Sequence, residues 1–154
     1  MEQIKLVIVD DDSDIRYLMK MKLQLDAPHF AIDVVESAEQ CLEYLTHNRV
    51  DCILSDYQLY ECSGMDLLLR LRGSSDNTPF IFITGQEREG LAREAFKNGA
   101  FDYFTKDIGF AYFARIINSV EQAVRQRRSE DRLALLQSAC EAARSAGIEC
   151  GQRV

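Results

Sequence analysis

Cys52-Ile53-Leu54-Ser55-Asp56-Tyr57 is an apolar run that stops at a single carboxylate, and its reading decides the fold. A run this uniformly apolar fits a strand of a parallel sheet covered on both faces. An aspartate at its C-terminal end then stands at the edge where open α/β sheets bind ligands. Three other runs end in the same way. Leu6-Val7-Ile8-Val9 meets Asp10-Asp11-Asp12, Phe80-Ile81-Phe82-Ile83 meets Thr84-Gly85, and Phe101 to Thr105 meets Lys106. Groups far apart in sequence are therefore expected along one sheet edge.

The stretches between these runs carry helix signals. Ser13 reads as an N-cap with Asp14 in the first turn, and Ile15, Leu18, Met19, Met21, Leu23 and Leu25 carry that helix to about Asp26. Phe30 to Val35 reads as a second strand, and Ser37 with Gln40 gives a capping-box pattern for the next helix. Asp51 to Asp56 is strand three. Gln58 to Gly64 reads as a polar loop before a short helix from Met65 to Leu71, and Pro79 opens strand four, where a missing N–H is tolerable. A helix from about Glu87 to Asn98 has Gly99 in the C′ position, and a long last helix from about Phe110 shows Phe113, Ile116, Ile117, Val120, Ala123 and Val124 on its apolar face. Five strands alternating with five helices predict a doubly wound five-stranded parallel sheet, with right-handed crossovers placing helices on both faces. Periodicity leaves the strand order open.

Composition narrows the function. The 154 residues suit one domain of 1–126 plus an appendage of 127–154, and the net charge of −7 argues against a nucleic-acid surface, which needs clustered cations. No apolar run approaches the ~20 residues of a membrane helix, and the first strand begins without a signal-peptide pattern, so a cytoplasmic protein is expected. Five cysteines with no CxxC pair read as reduced thiols. After Val124 the apolar pattern breaks at the polar stretch Arg125 to Arg132; in the appendage beyond it Leu133, Leu136, Cys140 and Ala143 are spaced 3, 4, 3, which fits either a homodimer seam or a packed helix. The chain's last residues, with no terminal cap, look truncated.

The residues gathered at the edge have a definite chemistry. Magnesium takes oxygen ligands, and Asp10, Asp11 and Asp56 supply carboxylates for it. A carboxylate beside a metal can also act as a nucleophile and take up a phosphoryl group as an acyl phosphate. Lys106 would pair with the phosphoryl oxygens, and Thr84 would donate a hydrogen bond to one of them. Taken singly, each has a plainer role: a solvated acidic turn, a strand end, a surface lysine, a β-branched strand residue. Their shared position after core strands is what favours the site.

With these residues in place, the sequence resembles the receiver domain of two-component response regulators over roughly residues 4 to 126. The resemblance implies a flavodoxin-like sheet of order 2-1-3-4-5, with Asp10 and Asp11 as the acidic pair and Asp56 as the phospho-accepting aspartate. It implies that Gln58 lends its backbone carbonyl to magnesium, and that Thr84 and Tyr103 are the switch hydroxyl and switch aromatic. Lys106 matches the lysine of the pattern. The partners implied are a sensor histidine kinase or phosphotransfer protein and a downstream output domain, the output surface being helix four, strand five and helix five. The chain departs from the pattern at Tyr60 and Asp107, where proline is usual, and at Gly85, where alanine is common.

Rival classes fit less well. A haloacid-dehalogenase-like phosphatase would need a second carboxylate where Gln58 stands, and three aspartates after strand one would repel the phosphate of a flavodoxin's FMN. A degenerate receiver serving as a constitutive protein-binding module is the remaining alternative.

Overall fold

The computed structural model describes residues 2–85, 88–106 and 111–147. The chain divides into two compact units, 1–124 and 125–154. In the first, β1 (Ile4–Val9), α1 (Ser13–Asp26), β2 (Phe30–Val35), α2 (Ala38–His47), β3 (Cys52–Asp56), α3 (Gly64–Gly73), β4 (Phe80–Thr84), α4 (Leu91–Lys97) and β5 (Asp102–Thr105) follow in order. The helix α5 runs over Tyr112–Ser145. All strand pairings are parallel, in the order β2-β1-β3-β4-β5. The predicted fold class is thus the observed one.

Alternate residues of each strand feed two cores. Leu6, Ile8, Leu54, Ile81, Ile83 and Phe104 pack with Met19 and Leu23 of α1 and with Phe113, Ile116 and Val120 of α5. On the other face, Val7, Val9, Ile53, Phe80 and Phe82 pack with Cys41 of α2, Leu67, Leu68 and Leu71 of α3, and Ala95 of α4. A central strand must be apolar at every position to satisfy both layers, which is why Cys52 to Ser55 are all buried.

Register brings the strand ends level. Val9 pairs with Ser55, Asp56 with Ile83, and Thr84 with Thr105. Asp10, Tyr57 and Lys106 each extend the ladder by one bond, donating their N–H to Val35, Ile83 and Thr84 respectively. The chain reverses order beside β1 and β3, at the topological switch point of this sheet.

Several boundaries differ from the sequence reading, for local reasons. Asp12, not Ser13, is the N-cap of α1, because its carboxylate accepts from the N–H groups of Asp14 (2.9 Å) and Ile15 (3.3 Å). The helix α3 starts at Gly64 because Ser63 and Asp66 form a reciprocal capping box. Gly90, with φ of +81°, is the N-cap of α4, which begins at Leu91; the expected start at Glu87 lies outside the described residues, as does Phe110. Gly99 holds its C′ role with φ of +100°. The run through Arg125 to Arg132 does not break α5, which continues to Ser145. Cys41, Cys52 and Cys62 are free thiols, whereas Cys140 is disulfide-bonded, against the expectation of a fully reduced set.

Candidate acidic site at the strand ends

The C-terminal ends of β1 and β3 bring three carboxylates together. Oxygens of Asp10, Asp11 and Asp56 lie within 4.8 Å of one another. Asp10 is 2% exposed, whereas Asp11 faces solvent and Asp56 lies between these extremes. Buried charge of one sign requires a partner, and Lys106 provides it from the end of β5. Its Nζ stands 3.1 Å from Asp10 Oδ2 and 3.3 Å from Asp56 Oδ2.

The remaining oxygens are also engaged. Asp10 Oδ1 accepts the Asp12 N–H at 2.9 Å, and the Gln58 N–H reaches Asp56 Oδ1 at a long 3.4 Å. Arg16 of α1 donates to the Asp10 backbone carbonyl at 2.7 Å and lies 3.6 Å from Glu36, so it braces the first strand end from outside the pocket.

Ionisation follows from this arrangement. Burial pushes the Asp56 carboxyl above the usual carboxylate range; Lys106 opposes the shift and the Asp10 charge adds to it. Burial disfavours the Lys106 ammonium, but the Asp56 and Asp10 carboxylates outweigh that effect and raise its pKa above the ordinary lysine value. Lys106 is therefore a fixed cation beside the Asp56 carboxyl.

The sequence-predicted residues sort into three groups. Asp10, Asp11, Asp56 and Lys106 meet directly. Thr84 and Gln58 stand at the rim: Thr84 is buried one position beyond the β4 partner of Asp56, and Gln58 forms an isolated bridge with Ser63 that closes the β3–α3 loop. Tyr103 is a step back, paired in register with Phe82, its ring against the α3 and α4 core and its hydroxyl oxygen buried. Tyr60 is exposed, and the Lys106–Asp107 junction falls outside the described residues because Asp107 does.

Two features escaped the sequence reading. Gly64 lets the start of α3 lie on the backbone of the site: a Cβ there would overlap the Asp56 carbonyl oxygen and stand 2.9 Å from Phe82 Cε1. The only signal was a glycine beside a Ser63/Asp66 capping pattern. Arg88 donates to the Tyr57 hydroxyl at 3.2 Å and lies 5.6 Å from that ring's centroid, tying the loop after β4 to the residue after Asp56. No spacing rule announces such a pair.

A doubly wound parallel sheet with an acidic, oxygen-donor pocket and one lysine at its switch point defines the class: a flavodoxin-like α/β protein with a cation-attracting strand-end site. Within that class, the model of the response regulator receiver domain matches residues 6–118, and the chain belongs to that family. It is 34% identical over 102 residues to the transcriptional regulatory protein SrrA of Staphylococcus aureus, a match covering 66% of this chain and 41% of that protein. The chain therefore aligns with about two fifths of that relative's length. Among solved structures, it is similar to the receiver domain of the Francisella response regulator 1452, at 26% identity and a TM-score of 0.73, covering 81% of this chain and 99% of that one. It is also similar to FixJ-N, at 30% identity and a TM-score of 0.71, covering 81% and 96%. Receiver domains typically bind magnesium at an acidic pocket, and the family implies a kinase or phosphodonor partner and an output. Among the described residues no helix is long and apolar enough to cross a membrane.

Proposed function

We propose that this chain is a phosphorylation-dependent switch in which Asp56 accepts a phosphoryl group from the phosphohistidine of a sensor kinase or phosphotransfer protein. The observation that carries the reading is the Lys106 ammonium bridging Asp10 and Asp56 beside a third carboxylate. In the transfer, an Asp56 oxygen forms the new bond to phosphorus, the bond from phosphorus to the histidine nitrogen breaks, and the electron pair leaves with the imidazole. Lys106, held at the Asp56 carboxylate, is positioned to pair with the negative oxygens of the incoming group. Thr84, at the adjacent strand end, would donate its hydroxyl to one of them.

The donor set suits a hard divalent cation. Asp10, Asp11 and Asp56 offer three carboxylate oxygens within 4.8 Å of one another, the kind of oxygen donors magnesium takes. Asp10, Asp11, Asp56 and the Gln58 carbonyl would hold the ion, which when bound neutralises the pocket and the charge developing on the phosphoryl group.

Phosphorylation would bias a two-state element, with Thr84 drawn towards the new group, Tyr103 as the reporting aromatic, and the surface of α4, β5 and α5 as the output. We assign 1–126 to the switch and 127–154 to an extension leading to an output domain or partner, in the cytoplasm. The test is intact mass after incubation with acetyl phosphate and magnesium. A magnesium-dependent gain of one phosphoryl group, absent in Asp56→Asn, supports the reading; the same gain in Asp56→Asn removes Asp56 as the acceptor.

A further inference from the structure

The second unit is read on its own terms. None of its described residues, 125–147, is buried, and Leu133 and Leu136 are 60% and 58% exposed on one side of α5. In proteins most of a helix's stability comes from packing an apolar face. The face offered is the stripe of Leu133, Leu136, Cys140 and Ala143.

We propose that a second copy of this chain covers that stripe, parallel and in register, with Leu133 and Leu136 as the central layers of a short coiled coil. Charge complementarity argues for this occupant. With Leu133 at heptad position a and Leu136 at d, Arg125 falls at g and Glu130 at the following e. In a parallel pair, g of one chain faces that e of the other, so each Arg125 meets Glu130 of the second copy, and Arg132 meets the neutral Gln137. No like charges face each other along this edge. Glu130 Oε1 accepts from Gln126 of its own helix at 3.1 Å, which leaves Oε2 for the arginine of the second copy.

The leucines set the orientation. Parallel pairing stacks Leu133 on Leu133 and Leu136 on Leu136 in adjacent layers. Antiparallel pairing over the same stretch sets Leu133 against Ala143 and Leu136 against Cys140, matching each large side chain with a small one. It would also bring Glu130 to Arg144 rather than Arg125, which makes the two arrangements separable by charge exchange.

Sedimentation equilibrium of the full chain over a range of concentrations tests the seam. The expected result is a monomer–dimer equilibrium weakened at least about tenfold by Leu136→Glu, as burial of an apolar side chain on each copy implies. Arg125→Glu is expected to weaken it too, and adding Glu130→Arg in the same chain to restore it. Because Leu136 is solvent-facing in the single chain, Leu136→Glu leaves the receiver unit folded, which its thermal unfolding checks. A monomer at every concentration, or a dimer indifferent to Leu136→Glu, overturns the proposal. A dimer lost instead in Met21→Glu, on the exposed Tyr17, Met21 and Leu25 stripe of α1, overturns it equally. Weakening by Arg125→Glu without rescue by the charge exchange overturns the parallel register. None of these outcomes depends on phosphorylation of Asp56.

Discussion

Replacing Gly64 with alanine asks whether the start of α3 is fixed by the site it touches. The added methyl would overlap the Asp56 carbonyl oxygen and lie 2.9 Å from Phe82 Cε1 and 3.2 Å from Ser55 Oγ. None of these neighbours gives way easily. The Asp56 carbonyl belongs to a central strand, Phe82 is fully buried, and the Ser55 hydroxyl is committed to the Asp56 carbonyl at 2.9 Å. The strain also bears on the N–H of Gly64, which bonds the Tyr57 carbonyl. Overpacking of this kind costs about 1–3 kcal/mol, and because backbone must move the upper end applies. Alanine returns at most about 1 kcal/mol through helix propensity, which leaves a net loss of about 2 kcal/mol. For a unit of this size that is a fall of roughly 8 °C in the unfolding midpoint. Gly73→Ala, at the other end of α3, is the internal control, since a Cβ there meets nothing within 4 Å. Thermal and urea unfolding should show Gly64→Ala destabilised and Gly73→Ala at or slightly above the parent. Equal stability of the two variants would refute the argument that the helix start is pinned against the Asp56 backbone.

Lys106→Met removes the cation between Asp10 and Asp56. Leaving Asp10 buried and unpaired is expected to cost about 2 kcal/mol, below the figure for a fully dry pair because Lys106 retains some exposure; urea unfolding without magnesium measures it, and added magnesium should recover part of the loss. On the far side of the sheet edge, Asp33 accepts from Lys5 at 2.8 Å and from the Tyr44 hydroxyl, and these bonds, led by Lys5, hold its carboxyl below its ordinary value of 3.8. Its hydrogen bond to Asp33, foremost, lifts Lys5 above its ordinary 10.5. The Asp33 contribution is present above pH 3.8 and is lost as pH falls through the lowered pKa; the Lys5 contribution is present below 10.5 and is lost as pH rises through the raised one. Because Asp33 is 44% exposed, screening limits the pair to about 1 kcal/mol. Asp33→Asn should therefore lower stability by that amount near pH 7 and converge on the parent in strong acid, as acid-dependent urea midpoints would show.

What was legible in the sequence followed from burial on two faces. Cys52 to Ser55 and Leu6 to Val9 had to be apolar throughout, so the runs announced themselves and their polar ends marked the pocket. The misread starts of α1 and α3 lie where a side chain competes for backbone N–H groups. A triplet of aspartates does not say which one caps, and only the bonds from Asp14 and Ile15 single out Asp12 and leave Asp10 and Asp11 for the site. The Ser63–Asp66 box was present in the sequence but sat behind a glycine that read as loop. Likewise the polar stretch after Val124 suggested a break, yet Gln126 with Glu130 and Arg127 with Asp131 are spaced to bond along one helix and sustain α5.

The charge balance of the pocket explains why recognition of the family and the chemistry of the residues converge. Three carboxylates face one ammonium, so the site is short of positive charge, and burial together with the Asp10 charge raises the Asp56 carboxyl against the pull of Lys106. A hard divalent cation would restore that balance. If Asp56 takes up a phosphoryl group as proposed, the added negative charge would call on both Lys106 and the ion. Lys106 now divides its contacts between Asp10 and Asp56, at 3.1 and 3.3 Å. On the proposed function, a new anion on Asp56 would tip that division away from Asp10, and β5, which carries Tyr103 and leads directly into Lys106, would be the strand on which such a shift acts.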